Sequence, residues 1–335
     1  MYAGKSYKLT EFVLWTRRPL YLATAYGIAV VALHRWTGAG WPAVPWGVVL
    51  MLGITLAVIA GCKGARTSGR ASEAQRVWAS IVGTSRAWAT MSRDFLDDAD
   101  DARRLVYRHL AWLTALRYQL RDSREWETLK KEPNAEYRKK YDVPEKESAL
   151  EAEMGKYVGP EDKGRILVSQ GKAGQVLALQ SEALRAMRAA GRLRPEAFVE
   201  MQRVLRRLQD QQAQSEQVKD YPYPRQYAIV DALFLRVFCL LLPFGLLDGI
   251  APLAAVVDEP LAGAIVWCVA PLSALVAWMY AALDQVGEST SNPFEGGAND
   301  VPISRICASL EIELRQVLGE RDVPAGRTPA GPIVL

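Results

Sequence analysis

Apolar positions along this 335-residue chain are gathered into four runs. A helix needs roughly 20 mainly apolar residues to cross the hydrocarbon core. The first run, "PLYLATAYGIAVVALH" at 19–34, reaches that length when extended backward through Phe12–Trp15. The second, "WPAVPWGVVLMLGITLAVIAGC" at 41–62, carries no charge. The third, 228–250, is interrupted by Asp231, Arg236 and Asp248; the fourth, 260–283, is again uncharged. Trp36, Trp41, Trp46, Trp278 and Tyr280 sit near the ends of these runs, as interfacial aromatics do. Pro243 and Pro271 fall inside runs, where neighbouring helices can satisfy the freed carbonyls.

Between the second and third runs the period changes. Val77, Ile81, Trp88 and Met91 recur at helical spacing over 72–96, and 100–120 repeats the pattern behind Asp100 and Asp101. Residues 121–165 are charged and turn-rich. Two more helices are expected over 173–191 and 195–218, the second with Pro195 at its first position. No alternation of strand and helix occurs, so the predicted fold class is all-α, with four transmembrane helices and a helical cytosolic domain.

Charge sharpens this partition. The net charge is +4, yet residues 62–225 hold 31 of the 41 Lys and Arg and 24 of the 37 Asp and Glu. Part of the chain is made for lipid and part for water. Short flanks decide orientation: 1–18 hold Lys5, Lys8, Arg17 and Arg18, the first connecting loop holds Arg35, and the last holds no Lys or Arg. Both termini and the 62–225 region are therefore expected in the cytoplasm. The N-terminus lacks the cleavage pattern of a signal peptide.

Candidate chemistry is sparse. Cys62, Cys239, Cys268 and Cys307 are scattered without zinc-site or disulfide spacing. His34 and His109 are the only histidines, too few for a metal cluster, and no nucleophile elbow accompanies them. "GARTSGRA" at 64–71 approximates a phosphate loop, but Arg70 and Ala71 replace its lysine and hydroxyl, and no strand precedes it. Arg and Trp interleave over 76–124, but acids accompany them throughout, so a solvated helix face is expected and not a nucleic-acid site.

The second run carries more. Gly53, Ala57 and Gly61 form a small-residue stripe that permits close helix approach, beside a stripe of Ile54, Val58 and Cys62. A lone chain can bury both stripes in its own bundle. Alternatively, several copies surround an axis, with the small residues between subunits and Ile54, Val58 and Cys62 lining a narrow apolar pore that gates by dewetting.

Three stretches resemble the bestrophins, in particular the bacterial bestrophin-like channels: "GCKGARTSGRASEAQRVWASIVGTSRAWA" at 61–89, "YPYPRQYA" at 221–228 and "NPFEGGANDVPIS" at 292–304. The resemblance implies a homopentamer in the bacterial inner membrane with one central pore. It implies segments 1–62 (helices 1 and 2), 63–225 (cytosolic helical domain), 226–284 (helices 3 and 4) and 285–335 (turn motif, helix and tail). The family's neck maps to Ile54, Val58 and Cys62, and a cytosolic constriction falls near Pro195 and Glu196. In animal members the Asn-Pro-Phe turn, with acids behind it, clasps calcium. Here the turn holds Asn292, Pro293, Phe294, Asn299 and Asp300, while Gly296 and Gly297 stand where acids would. A hard cation wants several oxygens, usually carboxylates, so neither calcium nor another cofactor is expected. The turn is expected to be structural, with Phe294 plugging the apolar interior and the turn packing on the N-terminal segment or a neighbouring subunit.

The expected function is a passive channel for small ions, not an enzyme. Family membership implies chloride, but the neck has no charge or aromatic ring, and a ring of Glu196 would favour cations. A cation-permeable channel and a non-conducting membrane-anchored scaffold remain open. A transporter fits less well, because Asp231 and Arg236 lie near one membrane end instead of the midplane.

Overall fold

The computed structural model describes residues 7–38, 44–326 and 333–335; Lys5 and Trp41 fall outside these. The described residues form α1 (Leu9–Trp15), α2 (Arg17–Thr37), α3 (Trp46–Phe95), α4 (Ala99–Arg121), α5 (Glu132–Arg138), α6 (Pro144–Glu147), α7 (Leu150–Met154), α8 (Pro160–Val168), α9 (Lys172–Ala189), α10 (Pro195–Asp220), α11 (Arg225–Ala254), α12 (Glu259–Thr290) and α13 (Ile303–Val317). The second apolar run and the 72–96 helix are one continuous helix, the 50-residue α3. Gly64 and Gly69 lie inside it, at a cost of about 1 kcal/mol each relative to alanine.

The chain divides into two compact units, one of Ser6–Gly69 with Pro222–Ser291, the other chiefly of Arg70–Tyr221 with Asn292–Leu335. In the first, α3, α11 and α12 carry windows long and apolar enough to cross a membrane; α2 does not reach that measure. Glycines set the helix spacing. A Cβ on Gly27 of α2 would lie 2.8 Å from Ser273 Oγ of α12, and one on Gly245 of α11 would lie 2.5 Å from Val49 Cγ2 of α3. Polar groups within this unit find partners across helices. Tyr26 donates to the Leu240 carbonyl at 2.9 Å, Tyr280 to the Gly53 carbonyl at 3.0 Å, and the Trp46 N–H to Asp248 Oδ2 at 2.9 Å. The last contact satisfies an orphan donor at the start of α3 and explains Asp248 in an apolar run. Leu22, Leu240, Leu261, Leu272 and Leu275 are exposed, as suits a surface facing lipid tails.

The second unit has a water-soluble protein's core. Trp78, Trp88 and Trp112 are fully buried among Ile81, Leu105, Leu113, Leu116 and Leu177. Trp112 Nε1 donates to Gln212 Oε1 at 2.9 Å and Trp88 Nε1 to the Leu105 carbonyl at 3.4 Å, whereas Trp78 Nε1 has no acceptor. Helix α4 is capped by Asp98, whose side chain accepts from the Asp100 N–H, the usual acidic cap. His109 is completely buried 5.1 Å from the Trp112 ring; burial pushes its pKa down to about 3, so it is a neutral core residue.

Candidate functional site: an apolar stripe, a charged turn and a helix start

Ile54, Val58 and Cys62 follow one another at four-residue spacing on α3, and residues so spaced share a helix face. All three are exposed, Ile54 at 60% and Val58 at 62%. Exposed aliphatic residues alone do not define a pore, since lipid would also accept them. The neighbouring stripe behaves differently from the expectation. Gly53 is buried inside the subunit, where a Cβ would lie 3.1 Å from the Phe238 ring; it spaces helices within one chain and is not available between chains. Ala57 and Gly61 are exposed, and nothing in the subunit lies within 4 Å of a Cβ on Gly61.

Lys63, one residue beyond Cys62, would place a charge beside the apolar stripe if it shared that face. Instead it is buried, its ammonium 2.5 Å from Asp284 Oδ1 of α12 and its stem against Gly287. The ion pair turns the cation into the subunit and leaves the stripe uncharged. The sequence resembling a phosphate loop, 64–71, is uninterrupted α-helix, which cannot wrap a phosphate.

Glu196 lies in the first turn of α10 and is exposed. An acid there is stabilised by the helix dipole, and Pro195 at N1 has no N–H to leave unsatisfied.

The 292–300 turn is closed by charge and by glycine. Phe294 is buried, with its ring 6.4 Å from that of Trp78, as a plug should be. Gly296 has φ +96, which favours glycine, and a Cβ on Gly297 would lie 2.9 Å from Asp300 Oδ1. These positions therefore need glycine for the turn itself. Glu295 points inward, accepting from the Thr128 N–H at 2.9 Å and its hydroxyl at 3.0 Å. Asp300 accepts from the Gly296 N–H at 2.7 Å and from Arg121 Nη1 at 3.2 Å. Arg121 and Arg117 also pair with Glu145, which accepts from the Ser304 hydroxyl at 2.6 Å. Asn292 and Pro293 are buried and Asn299 is exposed. The described partners of the turn are thus Trp78, the end of α4 and the 128–145 segment; packing on the N-terminal segment or on a neighbouring subunit was expected, and residues 1–6 of that segment lie outside the described residues.

Burial pushes Glu295 up to about 8, with Asp300 adding to the rise and the Thr128 hydrogen bonds opposing it. Burial also raises Asp300, against the pull of Arg121. Calcium would need charged, convergent carboxylates. Here the nearest two are turned onto Thr128, a backbone N–H and a guanidinium, so the donor set does not fit that ion. Among the described residues no group of three His, Cys, Asp or Glu converges to hold a metal.

Sequence reasoning missed Arg117, Arg121, Thr128 and Glu145. One signal was present: Arg117 and Arg121 fall four apart in register with the apolar face of α4, each directly after a leucine of that face, Leu116 and Leu120.

Comparison with known proteins agrees with this architecture. The family model described as "Bacterial/Fungal Bestrophin protein" matches residues 13–316. Among relatives, the "Voltage-dependent anion channel-forming protein YneE" of Escherichia coli K12 is 25% identical over 313 residues, covering 92% of this chain and 89% of its own. The "Voltage-dependent anion channel-forming protein mll4386" of Mesorhizobium japonicum is 24% identical over 298 residues, covering 88% and 82%. A crystal structure of a bacterial bestrophin homologue from Klebsiella pneumoniae superposes with a TM-score of 0.74 at 21% identity, over 90% of this chain and 98% of that one. With its fold and nearly its whole length matched, this chain belongs to the bacterial and fungal bestrophin family.

Proposed function

We propose that five copies of this chain assemble around α3 into an anion-conducting channel of the bacterial inner membrane, with α2 as a fourth membrane helix and both termini in the cytoplasm. Ile54, Val58 and Cys62 form the neck, and Glu196 rings a cytosolic constriction. The observation that carries this reading is the uncharged, exposed Ile54–Val58–Cys62 stripe on α3, kept free of charge by the inward Lys63–Asp284 pair. The channel-forming names of the bestrophin relatives support anion conduction. The protein acts by passive permeation, and no residue is assigned a catalytic role.

A cation-permeable channel of the same fold is the second reading, favoured by one observation: Glu196 is an exposed acid at a helix start. Five such carboxylates at one level would attract cations. Multi-angle light scattering in detergent tests the assembly, and a monomer or dimer would refute it. Flux into liposomes with chloride or potassium as the sole permeant ion tests the selectivity: chloride flux supports the first reading, potassium flux the second, and no flux refutes both.

A further inference from the structure

A cavity of about 580 Å³ opens in the Arg70–Tyr221 unit between the end of α4, the segment after it and the start of α9. That volume lies within the roughly 300–1,000 Å³ usual for small-molecule sites. Its wall carries three lysines besides Arg121 and Arg124. The acids in the wall are already engaged: Asp122 with Arg124 at 2.9 Å, and Glu145 with Arg117 and Arg121. Lys130 and Lys146, both exposed, and the half-buried Lys172 also line the cavity, and among the described residues none of the three ammonium groups has an ion-pair or hydrogen-bond partner. Lys146 is held below the ordinary lysine range by loss of water around its ammonium and, next, by nearby Arg138. An anion placed beside it would relieve both effects.

A further feature points the same way. Lys172 opens the 18-residue α9, whose cap residue Gly171 supplies no side-chain acceptor, so its first N–H groups are unsatisfied and its dipole favours negative charge. Apart from Ala115, Leu150 and the Tyr118 ring, the lining residues are polar or charged.

We propose that this cavity is a binding site for a small, soluble, phosphate-bearing polyanion, held by Lys130, Lys146 and Lys172 beside the start of α9. The site is separate from the stripe on α3, and it stands whether or not the channel reading holds.

Isothermal titration of the purified full-length protein in detergent, with sodium pyrophosphate as the probe at constant ionic strength, tests the assignment. Saturable binding is expected. Because a hydrogen bond to a charged group contributes about 1.5–3 kcal/mol, the Lys130→Gln/Lys146→Gln/Lys172→Gln variant should bind roughly tenfold more weakly or worse. Its thermal unfolding without pyrophosphate should match that of the wild type, since the three lysines hold no partner in the fold. Each single variant should bind measurably more weakly, which keeps the test valid if the triple variant is unstable. Absence of saturable binding, or equal affinity in the variants, overturns the proposal. Binding to anionic lipid vesicles without binding to pyrophosphate overturns the soluble-ligand assignment.

Discussion

Replacing Glu295 with glutamine should remove a pH dependence built into the turn. The side chain is buried and holds a proton up to about pH 8, because burial, and then the charge of Asp300, disfavour the carboxylate. In the unfolded chain the same group releases its proton near 4.5. Raised in this way, it contributes stability that is fully present below 4.5 and is lost as pH climbs toward 8. Above pH 6.5 the effect is separated from that of His109, while Asp300, also raised by burial, acts in the same direction. His109, pushed by burial to about 3 from 6.5, has the opposite sign, and its contribution is lost only as pH falls below 6.5. From pH 6.5 to 8 the span is 1.5 units, so at about 1.36 kcal/mol per unit the wild type should lose up to about 2 kcal/mol. For a unit of this size that is a fall in Tm of roughly 5 °C. Glutamine keeps the shape and an acceptor for Thr128 but cannot ionise. Glu295→Gln should therefore have a flatter Tm profile over this window and exceed the wild type at pH 8. Intrinsic tryptophan fluorescence follows the unfolding, with Trp78 against Phe294 as a local reporter. An equal fall in Tm for both proteins would refute the argument.

Ile54→Ala/Val58→Ala should conduct several-fold more than the wild type in single-channel recordings, with little change in relative permeability. In the proposed assembly the two rings would stand one helical turn, about 6 Å, apart, alanine preserves the helix, and no charge changes; unchanged conductance would move the barrier elsewhere. Glu196→Gln should lower cation permeability relative to anion permeability, and reversal potentials in asymmetric salt measure it; an unshifted potential would mean that Glu196 does not face the ion path. Gly245→Ala forces a Cβ to within 2.5 Å of Val49 and should cost about 1–3 kcal/mol of overpacking, read as a lower Tm in detergent. An unaltered Tm would show that α3 and α11 are packed less tightly than the distance implies.

The apolar runs were legible because the signal is additive: some twenty consecutive residues must agree before a helix suits lipid. Joining the second run to the 72–96 helix was harder to read. Gly64, Ser68 and Gly69 look like a break, yet α3 continues through them, since isolated helix-weakening residues cost little against a long packed helix. The turn was partly legible, because Pro293 and Gly296 act locally on backbone conformation. Its charged lock was not. Arg121 finds Asp300 and Glu145 only when α4, a turn-rich segment and the 292–300 turn are brought together, and no local period records a pairing across 179 residues.

The ion a channel selects is less legible still, for a physical reason. Everything that makes a neck narrow is a property of several copies. In one chain Ile54 and Val58 are simply exposed aliphatic residues, and neither hydropathy nor packing distinguishes a pore-facing side from a lipid-facing one. Lys63 bears on the proposed pore-facing side. A lysine facing lipid at the end of an apolar run would snorkel toward the headgroups. This one folds back 2.5 Å from Asp284 and buries its stem on Gly287, accepting the cost of desolvating both charges. Such a cost is understandable where the adjacent face must stay uncharged, as around an apolar neck, and is hard to justify where it meets only lipid. Lys63→Met with Asp284→Leu removes the buried pair together and retains the apolar stripe. Its conductance should stay near that of the wild type, whereas Asp284→Leu alone frees the Lys63 cation and should alter ion selectivity. Equal selectivity in the single and double variants would mean that the pair serves packing alone.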